Sequence, residues 1–142
     1  MNGRAFVDTN VFVYLFDQDA AAKQAIARQI LEAEGPPGRI VLSTQVLQEF
    51  YVSVTRKLGQ PLSESDGAEA TRDLCAFDVV DVDKEMVLRS MILSRAERLS
   101  FWDALIIEAA QIRRCDRLLT EDLQDGRQFG SLSITNPFRD VT

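Results

Sequence analysis

The stretch Ala5-Phe6-Val7-Asp8-Thr9-Asn10 decides the fold. Three apolar residues run without a break into a carboxylate and two further polar residues. A short apolar run of this kind reads as a strand buried on both faces, and it delivers Asp8 to the strand's carboxyl end. The same pattern returns along the chain. Ile40-Val41-Leu42 is a second strand, Val79-Val80-Asp81-Val82 a third, Leu118-Leu119-Thr120 a fourth, and residues 131–135 a fifth.

Helical patterns separate these runs, over residues 11–16, 20–34, 44–58, 63–76, 84–98 and 101–113. In 20–34, Ala22, Ile26, Ile30 and Ala33 fall at helical spacing, and Gly35 stops the helix. In 44–58, Val46, Leu47, Phe50, Tyr51, Val54 and Leu58 form one face. Gly67 weakens the helix over 63–76. Short strands alternating with helices predict an α/β fold whose mostly parallel sheet is covered on both faces. The crevice of such a sheet lies beyond the carboxyl ends of its strands, here just after Val7, Leu42, Val82 and Thr120. Gly35-Pro36-Pro37-Gly38 and Gly59-Gln60-Pro61 read as loops, and no repeat or linker divides the chain. Residues 1–142 are expected to form one domain.

Composition narrows the chemistry. The chain has no histidine, which removes the Ser-His-Asp and Cys-His machines and every histidine zinc site. Two cysteines, Cys75 and Cys115, cannot make a four-thiolate site, and they fit a reducing compartment. Any metal must therefore be held by oxygen, which points to Mg²⁺ or Mn²⁺. With 22 acids against 16 bases the net charge is -6. Such a surface repels nucleic acid unless a local basic patch or a cation intervenes. Arg56 with Lys57, Arg95 with Arg98, and Arg113, Arg114 and Arg117 are the groups that could form such a patch. All of them also read as solvated helix ends. No signal-peptide pattern or membrane-length apolar run is present, so a cytoplasmic location and no membrane partner are expected.

Four carboxylates stand out. Asp8 closes the first strand in the expected crevice, although Asp8 or Thr9 would serve equally as a helix cap. Glu49 lies just outside the apolar arc of its helix, on the side of Ser53, where an ordinary solvated glutamate would also lie. Asp103 is the sole early charge of the apolar helix Phe101-Trp102-Asp103-Ala104-Leu105-Ile106-Ile107. Three positions after Ser100 it forms an imperfect capping box, and the helix dipole keeps it ionised, as a metal ligand requires. Thr120-Glu121-Asp122 follows the fourth strand, with Asp122 and Glu121 better placed towards the crevice than Asp125 before Gly126. Carboxylates gathered in one place raise one another's pKa unless a cation neutralises them. Without histidine or cysteine they make a Mg²⁺ or Mn²⁺ cage, whose favoured chemistry is phosphodiester hydrolysis.

Val7-Asp8-Thr9-Asn10, Gln48-Glu49-Phe50, Trp102-Asp103-Ala104 and Leu119-Thr120-Glu121-Asp122 resemble, in order and spacing, the acidic motifs of the PIN-domain ribonucleases. The chain's size and acid order are similar to those of the VapC toxins of type II toxin–antitoxin systems. The resemblance implies a three-layer α/β/α sandwich. It implies that Asp8, Glu49, Asp103 and Asp122 are catalytic and hold Mg²⁺ or Mn²⁺. Thr9 or Asn10, and Thr120, would orient ligands or the attacking water. It further implies an RNA substrate, a small antitoxin partner and a homodimer. Phe12, Tyr14, Leu15 and Phe16 read either as core or as an interface for such partners.

Other classes fit less well. A haloacid-dehalogenase-like phosphatase needs a second aspartate two residues after the first, where this chain has Asn10. A phosphoacceptor receiver domain needs a late-strand lysine, and the last lysine is Lys84. A PIN-like RNA-binding or scaffold module without catalysis would not need all four acids.

Overall fold

The computed structural model describes residues 3–141. The elements run β1 (Ala5–Val7), α1 (Thr9–Tyr14), α2 (Ala21–Glu34), β2 (Ile40–Ser43), α3 (Thr44–Arg56), α4 (Glu64–Leu74), β3 (Asp78–Val80), α5 (Lys84–Glu97), α6 (Phe101–Ile112), β4 (Arg117–Leu119), β5 (Gln128–Phe129) and β6 (Leu132–Thr135). The six strands form one sheet in the order β3-β2-β1-β4-β6-β5. All neighbours pair parallel except β5 with β6. Helices cover both faces, giving the three-layer α/β/α sandwich. On one side α1 packs on α2 and α3, and α3 on α4; elsewhere α5 pairs with α6. Among the described residues no helix is long and apolar enough to cross a membrane.

Apolar strands pack here because both faces are covered. Phe6, Leu118 and Ile134 stand in register on β1, β4 and β6, and each is fully or almost fully buried. Each such side chain contributes about 2–3 kcal/mol of burial. The chain starts at β1, moves outward to β2 and β3, then returns to place β4 on the other side of β1. The strand order therefore reverses between β1 and β4, and a crevice opens beyond their carboxyl ends.

Two strand-to-helix joints carry no loop. Asp8, immediately after Val7, caps α1, and its side chain accepts from the Thr9 amide. Ser43 ends β2 and caps α3 by accepting from the Val46 amide at 3.4 Å. Caps of this kind satisfy otherwise orphaned amides. They also fix the rotational phase of each helix against its strand, and so the direction of Glu49.

Several local expectations shift. The first helix starts at Thr9 and not at residue 11, because Asp8 supplies the cap. The third strand is Asp78–Val80; the Val82 amide is taken by Thr44 Oγ1 at 3.1 Å, off the ladder. The face of α2 is rotated from the expected one. Ala22 and Ala33 are exposed, while Ala27 and Glu34 are buried with Ile26, Ile30 and Leu31 partly so. The rotation buries Glu34 between Arg117, which binds both its oxygens at 2.8 and 3.1 Å, and Arg39 at 3.0 Å. The strand expected over 131–135 is β6, and its partner β5 was not foreseen. A tight turn led by Gly130, with φ 60°, joins them. Phe12 belongs to the core, whereas Tyr14, Leu15 and Phe16 are partly buried against it.

Candidate active site

The amino and carboxyl ends of the sheet are electrostatically unlike. At the amino end buried Glu34 has Arg39 and Arg117, and half-buried Asp78 has Arg4 and Arg113. At the carboxyl end, among the described residues, Asp8, Glu49, Asp103 and Asp122 form no salt bridge.

Asp8 lies at the switch point between β1 and β4, and its amide donates to Leu119 O at 3.0 Å. Its Oδ1 accepts from the Thr9 amide and its Oδ2 from Thr120 Oγ1, each at 2.7 Å. Burial pushes its carboxyl up to about 6. The Thr120 and Thr9 hydrogen bonds work against that rise, and the charges of Asp122 and Glu49 add to it. Thr120, itself fully buried, also accepts from the Asp122 amide at 3.1 Å. One hydroxyl thereby sets both acids.

Glu49 comes from α3. Its Oε1 accepts from Thr9 Oγ1 at 2.8 Å and its Oε2 from Gln45 Nε2 at 3.4 Å. Asn10 Nδ2 reaches the two Asp122 oxygens at 3.5 and 3.4 Å. The Asp122 carboxyl is raised, by burial first and then by the charges of Glu121, Asp103 and Glu49. Asp103 sits in the first turn of α6, where its amide donates to Ser100 Oγ at 3.0 Å. It lies within electrostatic reach of Asp122, and it is not part of the cleft wall.

The cleft has a volume of about 410 Å³. Asp8, Thr9, Asn10, Glu49 and Asp122 line it, and α3 completes the wall with Gln48, Val52, Ser53 and Lys57. The structure thus brings three of the four expected acids into one cleft with Thr9 and Asn10. Thr120 buttresses them from below, and Asp103 stands beside them. Glu121 turns away, towards Tyr14 and Lys23. Asp125 is a structural tie, accepting from the Asn136 amide at 2.8 Å and from Arg139 Nη1 at 2.9 Å.

One contributor escaped the sequence reading, Gln45 as a buttress, while Lys57, named there with Arg56 as a candidate basic group, proves to line the cleft. Helical spacing carried the signal for Gln45, since Gln45, Glu49 and Ser53 recur every four positions along α3 and Lys57, its C-cap, continues the series. Gln45 is buried, its Nε2 also approaches Trp102 O at 3.5 Å, and its Oε1 has no partner among the described residues.

Among the described residues no group of three or more acids stands ready-made to hold an ion. Hydroxyl and amide groups occupy many of the carboxylate oxygens, but each oxygen keeps a further lone pair. The donor set is entirely oxygen, and the carboxyls of Asp8 and Asp122 are raised by burial and by the charges of their acidic neighbours. Those properties fit a hard divalent ion.

Residues 5–124 match the family model described as PIN domain. No curated protein sequence matches the chain. The fold is similar to that of a toxin–antitoxin complex from Klebsiella pneumoniae, with TM-score 0.70 and 23% identity over 94% of this chain and 97% of that one. It is also similar to Mycobacterium tuberculosis VapC20, a sarcin-ricin loop cleaving toxin, with TM-score 0.66 and 18% identity over 83% and 89% of the two chains. VapBC2 from Rickettsia felis, bound to a DNA fragment from its promoter, gives TM-score 0.59 and 14% identity over 93% and 97%. These likenesses establish a shared fold. The family match, spanning most of the chain and all four acid positions, shows that this protein belongs to the PIN domain family.

Proposed function

We propose that this protein is a divalent-metal-dependent endoribonuclease that hydrolyses RNA phosphodiester bonds and is the toxin of a toxin–antitoxin pair. The observation that carries this reading is the contrast between the two ends of the sheet. Glu34 and Asp78 at the amino end pair with arginines, whereas among the described residues Asp8, Glu49, Asp103 and Asp122 form no salt bridge. Asp8, Glu49, Asp103 and Asp122 would hold Mg²⁺ or Mn²⁺. When bound there, the ion supplies activation of water and neutralisation of the charge that develops on the scissile phosphate.

The chain's own residues do the rest. Thr9 and Thr120 lock the Asp8 carboxylate in one orientation. Thr9 also fixes Glu49, and Thr120 fixes the backbone that carries Asp122. Lys57 holds an RNA phosphate in the cleft, which answers the repulsion expected from a net charge of -6. A small antitoxin would block the cleft by inserting a cationic side chain among the acids. Leu88, Met91 and Ile92, exposed at one-turn spacing on α5, offer apolar surface for a protein partner, including a second copy in a homodimer. The cytoplasm, where RNA is made and used, is the matching location.

Purified protein with Mg²⁺ or Mn²⁺ should cleave RNA and stop when EDTA is added. Asp8→Asn and Asp103→Asn should each abolish cleavage while keeping the wild-type circular dichroism spectrum. Normal cleavage by both variants would remove the assignment.

A further inference from the structure

Glu121 stands between the two residues that organise the site, Thr120 and Asp122, yet its side chain leaves the cleft. Tyr14 donates its hydroxyl hydrogen to Glu121 Oε1. Lys23 Nζ donates to Glu121 Oε2 at 3.0 Å and lies 3.1 Å from the Tyr14 hydroxyl oxygen. The Lys23 ammonium lies 4.9 Å from the Tyr14 ring centre and 5.8 Å from that of Phe138. The two rings meet edge to face at 5.0 Å. Both partners of the ion pair are largely sheltered, with side chains 25% and 18% exposed. On the cleft side, Asn10 Nδ2 spans Glu121 Oε1 at 3.4 Å and the Asp122 carboxylate.

The segment held this way is otherwise tied by Leu123, packed against the core, and by Asn10 on the Asp122 carboxylate. Residues 121–123 belong to no strand or helix, and Asp122 is tied by its amide to Thr120 Oγ1. An ion pair in such a sheltered place is charge-assisted on both sides, and it resists displacement better than an exposed pair.

We propose that Lys23 and Tyr14 are positioning residues that act through Glu121 to set the Asp122 carboxylate, so that α2 controls how tightly the cleft holds a divalent cation. This rests on the assignment of Asp122 as one of the acids that hold the ion. Glu121 is then a strut and not a fifth ligand. Removing the cation at position 23 frees Glu121 to swing, and Asp122 moves with it.

The test measures Mn²⁺ affinity by isothermal titration calorimetry on the full chain, with melting temperature in EDTA recorded alongside. Lys23→Met keeps the apolar stem and removes the charge, and Lys23→Arg restores the charge. Tyr14→Phe removes one hydroxyl and keeps the ring on Phe138. Lys23→Met is expected to weaken Mn²⁺ about tenfold, as loss of a partner that orients a ligand does. Lys23→Arg should recover most of that loss, and Tyr14→Phe should show a smaller loss in the same direction. In RNA cleavage, the Mn²⁺ concentration giving half-maximal rate should rise while the rate at saturating Mn²⁺ is kept. If Lys23→Met fails to fold, Tyr14→Phe alone decides. Wild-type affinity in Lys23→Met or Tyr14→Phe, alongside lost binding in Asp8→Asn, overturns the strut and leaves the metal site standing. No Mn²⁺ binding by the wild-type chain overturns the metal site and the strut together.

Discussion

Thr120 Oγ1 donates to Asp8 Oδ2 at 2.7 Å and accepts from the Asp122 amide at 3.1 Å, so one buried hydroxyl couples two acids at the ends of adjacent strands. Thr120→Val keeps the shape and removes both interactions. It leaves a buried carboxylate short of a donor, at a cost of about 1.5–3 kcal/mol. Urea denaturation should show that loss, and RNA cleavage should fall with it. Thr120→Ser, which keeps the hydroxyl, should restore both.

Stability should depend on pH in a way that identifies Asp8. Burial raises its carboxyl from 3.8 to about 6 in the folded protein. A raised carboxyl contributes stability that is full below its unfolded value and is lost as pH rises through its folded value. In EDTA, Asp8→Asn should therefore melt several degrees above wild type at pH 8, and the gap should close near pH 4. An Asp8→Asn protein that melts below wild type at pH 8 would contradict this.

Glu34 should behave in the opposite sense. Hydrogen bonding from Arg117 leads the effects that hold its carboxyl below the usual 4.5. A lowered carboxyl contributes stability above its unfolded value that is lost as pH falls through its folded value. Glu34→Gln should destabilise the protein at pH 7, and the difference should shrink steadily below pH 4 in calorimetric scans.

Lys57 should govern substrate affinity and not the chemical step. Lys57→Ala should raise KM for RNA several-fold with kcat nearly unchanged. It should also lower the slope of log affinity against log salt by about one, as loss of a single phosphate contact does. A fall in kcat at unchanged KM would place Lys57 in a different role.

Gly67 tests the close packing of α3 on α4. Gly→Ala within a helix ordinarily stabilises by about 1 kcal/mol. Here a Cβ would collide with Thr55 Cγ2, while it would only touch the Tyr51 ring. Gly67→Ala should instead cost about 1–3 kcal/mol in chemical denaturation. Thr55→Ser removes the colliding methyl and keeps the hydroxyl that donates to Tyr51 O at 2.6 Å, so the double variant should recover most of the loss.

What the sequence revealed and what it hid divide along a physical line. Apolar runs and helical spacing are local signals, and they located β1, β2, β4 and the six helices to within a few residues. Asp8 carried two readings, cap and cleft acid, and the structure satisfies both with different oxygens. The second edge strand was hidden because β5 is two residues long, too short to show a period. The α2 face was misjudged because a buried glutamate reads as surface until its arginines, five and eighty-three residues away, are seen. The strut beneath Asp122 was invisible for the same reason: Lys23 and Glu121 lie 98 residues apart. Asp103 was legible as a helix-start acid, but its distance from the cleft wall depends on how α6 docks.

The reversal of strand order between β1 and β4 has a consequence in time. Asp8 is made before the partners that fix it: Leu119, whose carbonyl takes its amide, and Thr120, whose hydroxyl meets its carboxylate, arrive more than a hundred residues later. A nascent chain that has emerged only through α6 already carries Asp8, Glu49 and Asp103. It still lacks the central strand β4 and the hydroxyl that orients the first carboxylate. Long-range parallel pairing of this kind forms late. The cleft therefore takes its shape only when β4 pairs with β1 and brings Thr120 to Asp8.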